Sequence, residues 1–133
     1  MPAQDCGILA CDMARIFDTT GKSTLALRKR RQFLLSQIKV PPRGVRASFV
    51  ERFSVCGKRN CQCRHGGGKH GPYYYLTQCL GVGRVNKFLL KTPAQQQAAR
   101  EAIDSYRLLE EQLEELSQIN TELLRRHEGL GDE

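Results

Sequence analysis

The chain has 133 residues, which is enough for one domain of ordinary size with helical extensions and too few for two independent cores. Only 7% of its residues are aromatic, none is Trp, and no apolar run approaches the length of a membrane span. We therefore expect a cytoplasmic module with a modest apolar core. In a reducing compartment, six cysteines indicate metal ligands and free thiols in preference to a disulfide framework.

The net charge of +7 conceals a change of sign along the chain. Residues 1–91 carry 17 Lys or Arg and four acids, whereas residues 92–133 carry four basic residues and ten acids. Between Arg28 and Lys91 there are fifteen basic residues and a single acid, Glu51. This density indicates a polyanionic partner, although a charged surface that merely keeps the protein soluble would give the same count.

Residues 1–22 show no periodicity, which predicts a flexible arm in which Cys6 and Cys11 are spare thiols. Residues 23–40 are predicted to form a basic amphipathic helix that ends before Pro41 and Pro42. Its apolar residues at helical spacing are Leu27, Leu34, Leu35 and Ile38.

Residues 44–91 are predicted to form a small antiparallel β-meander. Apolar and polar residues alternate over 47–55, and two further strand-like runs, 73–80 and 85–91, flank a glycine-containing turn. The loop between the first two strands contains three cysteines within eight residues. We therefore expect an α+β fold in which a metal stabilises the sheet module, because the core is small.

A long helix is predicted over residues 92–128, with Thr92 as N-cap and Pro93 at the first helical position, and a short tail follows at 129–133. Apolar residues recur in steps of four and three, which is typical of a coiled-coil seam. This stripe can dock on the helix at 23–40, on a second copy in a homodimer, or on both. The predicted dimer contacts are Tyr106, Leu109, Leu113, Leu116, Asn120 and Leu123.

The cysteine loop carries the most specific signal in the sequence. The predicted metal ligands are Cys56, Cys61, Cys63 and His70. These three thiols and one imidazole would complete a tetrahedral structural Zn²⁺ site with no open position for catalysis. His70 is preferred over His65 because a glycine-rich spacer lets the chain loop back. An iron–sulfur cluster would require a fourth cysteine, for which Cys79 is the nearest candidate.

Basic side chains and tyrosines surround the predicted metal loop, and such residues contact phosphates and stack on bases. We therefore predict an accessory protein that binds nucleic acid. Double-stranded DNA is favoured, since a dimer would present two basic faces at a fixed spacing. The predicted contacts are Arg28, Lys29, Arg30, Arg31, Arg52, Lys58, Arg59, Arg64, Lys69, Tyr74, Arg84 and Lys87. Either Tyr74 or the pair Tyr73 and Tyr75 must pack in the core, because alternate strand residues point to opposite faces.

Two other classes of function remain open alternatives. The first is an adaptor whose acidic C-terminal helix binds a partner protein. The second is an enzyme, which the sequence disfavours because the carboxylates lie almost all on that helix and no nucleophile has recognisable acid–base partners. We therefore predict a protein without catalytic residues.

Three segments carry a resemblance to a known family: 48–63, the run His70-Gly-Pro-Tyr-Tyr-Tyr-Leu, and the end of the long helix near 116–124. Over about residues 44–126 the chain resembles a family of short, uncharacterised bacterial and archaeal proteins. The resemblance implies that the three clustered cysteines and His70 act as one unit. It also implies a link to mobile elements, because genes of that family often lie beside transposase genes.

Overall fold

The computed structural model describes residues 16–127, in which a three-stranded antiparallel sheet and a short helix both pack on one long helix. In chain order the elements are α1 (Thr24–Gln37), β1 (Ser48–Ser54), a 3-10 turn (Gln62–Arg64), β2 (His70–Gly81), β3 (Arg84–Leu90) and α2 (Pro93–Arg125). The predicted α+β class, the strand order and the long C-terminal helix are confirmed. The predictions for Cys6, Cys11 and the tail fall outside the described residues. No described helix is both long and apolar enough to cross a membrane.

Helix α1 begins and ends where its local sequence dictates. The Ser23 hydroxyl accepts a hydrogen bond from the backbone N–H of Ala26 at 3.1 Å, so it caps the first turn. The helix stops at Gln37, before the two prolines of the linker. Leu27 and Leu34 lie two turns apart and are both buried, so α1 presents one narrow apolar stripe.

Helix α2 begins with the predicted Thr92 cap. The Thr92 hydroxyl accepts from the N–H of Gln95 at 3.1 Å, and the Gln95 side chain accepts from the N–H of Lys91 at 2.8 Å. These reciprocal bonds satisfy backbone donors at the helix start, much as a capping box does. The helix then runs for 33 residues, or about 50 Å.

The two halves of α2 cover different hydrophobic clusters. The second half packs on α1, and the first half packs on the sheet. The helix-pair cluster consists of Leu27, Leu34, Ile119 and Leu123, with Ile38 and Leu116 at its edge. The sheet cluster consists of Leu76, Leu90, Ala99 and Ile103, with Val45, Ala47, Phe49 and Tyr74 at its edge.

The strand register divides the sheet into a face that α2 covers in part and a second face, here called the open face, that no helix or strand within residues 16–127 covers. Leu76 pairs with Phe49 on β1 and with Phe88 on β3, so these three side chains share the face that α2 covers in part. Neighbouring positions in each strand point the other way. The open face carries Val50, Arg52, Tyr73, Tyr75, Lys87 and Leu89.

Much of the predicted dimer seam is used within the chain. Leu116 and Leu123 pack on α1, and the Asn120 side-chain oxygen accepts a hydrogen bond from Nε of Arg31 at 3.0 Å. The same stripe that fits a second copy also fits α1, and α1 is tethered beside it. Asn120 is therefore bonded within the chain, and its expected place between two copies of α2 stays a prediction.

The remaining seam positions face the linker or solvent. Tyr106 lies against Gly44 in the linker before β1. The approach is so close that a Cβ atom added to Gly44 would be 3.2 Å from Cδ2 of Tyr106. Leu109 is half-buried, and Leu113 is 47% exposed. Pairing of α2 with a second copy stays a prediction, with a smaller surface than the sequence pattern indicates.

Candidate metal centre

Four side chains converge at the end of the sheet where β1 meets β2. The ligand atoms of Cys56, Cys61, Cys63 and His70 all lie within 4.8 Å of one another. The sulfurs of Cys56 and Cys63 are 3.7 Å apart, and the Cys61 sulfur is 3.1 Å from Nε2 of His70. In a tetrahedral site with metal–sulfur bonds of about 2.3 Å, neighbouring sulfurs are about 3.8 Å apart. These four residues can therefore hold a metal ion.

The short 3-10 turn brings the cysteines together. Cys61 stands in extended conformation just before the turn, and Cys63 lies within it as the one buried cysteine of the cluster, 9% exposed. The backbone N–H of Cys56 donates to the Cys63 sulfur at 3.4 Å. This bond holds the Cys63 sulfur beside the start of the loop, next to Cys56.

His70, and not His65, stands with the thiols, which agrees with the preference drawn from the glycine spacer. His70 is the first residue of β2 and pairs with Ser54, so the sheet fixes its position. The His65 ring instead donates from Nε2 to the carbonyl oxygen of Arg59 at 2.9 Å. The Arg64 guanidinium donates from Nε to the Cys56 carbonyl at 3.1 Å. Both side chains close the loop around the cluster.

Two glycines are required by close backbone approach. The N–H of Gly67 donates to the Gln62 carbonyl at 2.7 Å, and a Cβ on Gly67 would lie 2.6 Å from that oxygen. Gly71 has φ +136°, and its Cβ would lie 2.8 Å from the carbonyl oxygen of Arg52. Gly71 sits where the register shifts between Arg52 and Ser54, so a β-bulge directs His70 into the cluster.

The loop around the cluster carries more positive charge than the metal site needs. Three thiolates and one divalent ion sum to a single negative charge. Between β1 and β2 the chain has four basic residues and no acid. They are Lys58, Arg59, Arg64 and Lys69, and all four are exposed. None of them forms an ion pair with residues 16–127.

Seven of the predicted nucleic-acid contacts remain on the surface of the sheet module. Those exposed residues are Arg52, Lys58, Arg59, Arg64, Lys69, Arg84 and Lys87. The basic run on α1 is used differently: Lys29 is exposed and Arg28 is half-buried. Arg30 and Arg31 bind side chains of α2. The surface of the sheet module therefore holds most of the positive charge that remains available.

Two of the predicted phosphate contacts on α1, Arg30 and Arg31, also bind side chains of α2 and so connect the two helices. Arg30 forms a bidentate ion pair with Glu115, at 2.6 Å from Nε and 3.0 Å from Nη2, and Arg31 donates to Asn120. The hydrogen bond with Glu115 and then the attraction of its charge raise the pKa of Arg30. The residues involved lie 85 and 89 positions apart in the chain, so no local pattern reveals these contacts.

Tyr74, another predicted contact, packs at the edge of the sheet cluster. Its centroid lies 5.2 Å from that of Phe49, and the Arg100 guanidinium carbon lies 4.0 Å from the Phe49 centroid. Tyr73 and Tyr75 consequently point to the open face. The sequence alternation shows that Tyr74 opposes its neighbours, but it does not show which face α2 covers.

Comparisons with known proteins place part of the chain in context. No curated protein and no solved structure matches it. A family model matches residues 24–88, from the first residue of α1 into β3, and all four candidate ligands lie in the matched part. Over α1, the metal loop and the sheet, the chain is similar to the family described as "Domain of unknown function (DUF6788)".

Proposed function

We propose that this protein binds nucleic acid through a basic sheet module that one structural Zn²⁺ holds in shape. The observation that carries the proposal is the group of exposed cations around four candidate metal ligands. None of these cations forms an ion pair within residues 16–127. Homodimerisation through α2 and a link to a mobile element, both expected at the sequence level, are extensions of this proposal and are not needed for it.

The identity of the metal is argued from the chemistry of the ligands. Thiolates and an imidazole favour zinc over magnesium and calcium, which prefer oxygen ligands. Among residues 16–127 no fourth cysteine joins the cluster, Cys79 included, which leaves an iron–sulfur centre one thiolate short. Four protein ligands fill a tetrahedral shell, so the zinc would be structural, and its binding would contribute directly to folding of the loop.

The basic surface supports a polyanionic partner over a purely solvated role. One cation would offset the net charge of the zinc centre, and the loop alone carries four. Repulsion among unpaired cations costs stability, and a chain of phosphates would offset it while releasing counterions. If about six phosphates are contacted, log affinity should fall against log salt with a slope of about −5.

The adaptor alternative has less support from the described contacts. Two acids of α2, Glu115 and Glu122, bind Arg30 and the pair Arg125 and Arg126 within the chain. Within residues 16–127 the acidic helix is thus partly neutralised, whereas the basic loop is not. A protein partner for α2 is nevertheless an outcome that the experiment below can reveal.

The test is fluorescence anisotropy of labelled oligonucleotides with zinc-quantified protein, over a range of salt concentrations. Arg59→Glu changes an exposed side chain of the metal loop, and Arg107→Glu changes an exposed side chain of α2 by the same charge. We expect Arg59→Glu to weaken binding to every sequence alike and to reduce the salt slope by about one or more. Arg107→Glu should leave both quantities nearly unchanged.

Three results would count against the proposal. Zinc-loaded protein that shows no salt-sensitive binding would overturn it. Equal losses for the two variants would mean that net charge alone, and no particular surface, determines binding. Capture of a protein partner that Leu113→Glu on α2 disrupts, in the absence of nucleic-acid binding, would support the adaptor.

A further inference from the structure

We infer that the bound nucleic acid is single-stranded and that two of its bases stack on Tyr73 and Tyr75 at the open face of the sheet. This inference rests on the proposed function and specifies its substrate class. Single-stranded DNA and RNA share the required chemistry, which is a flexible chain of aromatic bases joined by phosphates.

The spacing of the two tyrosines suits successive bases. Tyr73 and Tyr75 lie two positions apart on β2, on one face and about 6.6 Å apart along the strand. Tyr74 between them packs on Phe49, which fixes the direction of its neighbours. Tyr73 is 38% exposed in a region of the sheet that α2 does not cover. Two rings at this spacing can each receive one base of an extended strand.

Each ring on the open face has a cation beside it. Arg52 pairs with Tyr73 across the β1–β2 ladder, and Nζ of Lys87 lies 4.7 Å from the centroid of Tyr75. Lys87 is exposed on a flexible stem, so its amine can move from the ring to a phosphate when a base arrives. A ring with an adjacent cation matches the two parts of a nucleotide, its base and its phosphate.

The open face is also free of negative charge among the residues that the strand register assigns to it. Glu51 is the one acid in the three strands, and it pairs with Tyr74 on the opposite face. A strand of phosphates on the open face would therefore meet Arg52 and Lys87 without facing a carboxylate. This complementarity selects a polyanion over a second apolar protein surface.

The aromatic rings favour a single strand over a duplex. In a duplex the faces of the bases are stacked on one another, and proteins reach only base edges and phosphates. Tyrosine rings on a broad three-stranded sheet can use base faces only when the strand is unpaired. A duplex on this face would use the cations and leave both rings without a role.

The test compares two double variants against single-stranded DNA, single-stranded RNA and duplex DNA of one sequence, each of about 12 nucleotides. Replacing both Tyr73 and Tyr75 by Leu removes the rings, whereas replacing both by Phe keeps them. We expect wild-type protein to prefer single strands. The Leu variant should lose about 5- to 150-fold in affinity per ring, with an unchanged salt slope, because its cations remain. The Phe variant should bind within about twofold of wild type.

A second readout uses the protein's own fluorescence. The chain has four Tyr and no Trp, so quenching of tyrosine emission by an unlabelled single strand reports stacking directly. The quenching should be present in the wild-type protein and vanish in the variant in which Leu replaces both Tyr73 and Tyr75. Zinc content and far-UV circular dichroism confirm that each variant is folded. If the double Leu variant loses zinc, the single variant Tyr73→Leu replaces it in the binding test. The Tyr73 ring is already partly exposed, so its removal should disturb the fold less.

The outcomes separate this inference from the proposed function. If zinc-loaded protein binds neither single nor double strands, both fail. If it binds duplex as tightly as single strands, or if the Leu variant binds single strands as wild type does, only the inference fails. If the inference holds, comparison of the DNA and RNA single strands shows which backbone the protein prefers. A preference for either one agrees with stacking on the rings.

Discussion

The metal loop and the helix pair are held together by different means. In the helix pair, Leu27, Leu34, Ile119 and Leu123 are each at most 2% exposed. In the loop at 55–69, one residue is buried, Cys63. Apolar burial therefore holds the two helices together, whereas the loop turns without a core and would depend on a bound metal for its shape.

Zinc removal should give the largest difference between the two regions. Chelation should deprotect amides of residues 55–72 in hydrogen exchange and leave α1 and the second half of α2 protected. The helix pair contains no ligand, whereas the loop would lose an apparent binding energy of about 10–16 kcal/mol. Equal deprotection of both regions would contradict the comparison.

A matched pair of histidine variants sharpens this prediction. His70→Gln should abolish stoichiometric zinc, as measured by elemental analysis, because it removes a ligand. His65→Gln should retain one zinc per chain, because that ring bonds a carbonyl instead. Loss of zinc from His65→Gln with retention in His70→Gln would overturn the assigned ligand set.

Truncation of a buried side chain in α1 should destabilise the helix pair and leave the metal loop unchanged. Leu27→Ala removes a side chain that is 1% exposed and should lower the free energy of unfolding by about 2–5 kcal/mol, followed by circular dichroism in denaturant. Zinc content should not change. Leu25→Ala, on the same helix but 63% exposed, is the control and should stay within about 0.5 kcal/mol.

Acid should weaken the helix pair through Glu122. Hydrogen bonds from Arg125 and then Arg126 lower the pKa of Glu122 to about 2. Because the folded-state pKa lies below the ordinary value of 4.5, this contribution is complete above about pH 4.5 and is lost as the pH falls toward about 2. The gap in melting temperature between wild type and Glu122→Gln should therefore shrink over that range. A gap that is constant with pH would show that packing, and not charge, determines it.

Asn120→Leu should give the smallest effect and should decide between two partners for α2. Because Asn120 accepts from Arg31, its loss should cost about 0.5–1.5 kcal/mol, independent of protein concentration. A polar residue in a seam between two copies would instead make Leu stabilising. A melting temperature that rises with the variant and with protein concentration would restore the dimer seam.

The elements that follow from neighbouring residues could be predicted from the sequence. Thr92 and Pro93 define a helix start through contacts within one turn. The spacing of the three cysteines with His70 identifies four candidate ligands inside fifteen residues, and these four do lie together. Local geometry determines both features, so no knowledge of the remaining fold was needed.

The choice among equally suitable partners could not be predicted in the same way. The stripe containing Asn120 fits α1 as well as a second helix, and only the packed chain brings Arg31 to it. The alternation of the three tyrosines likewise gives two faces, and the position of α2 decides which of them is covered. These questions depend on contacts between residues far apart in the chain.

Helix α2 contributes to both hydrophobic clusters, and this limits how far the protein can be shortened from its C-terminal side. The match to the known family stops at residue 88, yet α2 supplies Ala99 and Ile103 to one cluster and Ile119 and Leu123 to the other. A fragment cut at that point would expose the apolar stripes of both α1 and the sheet to water and should aggregate. The smallest fragment suitable for crystallisation or NMR therefore extends to Arg126, whose guanidinium also bonds Thr24 and the turn before α1.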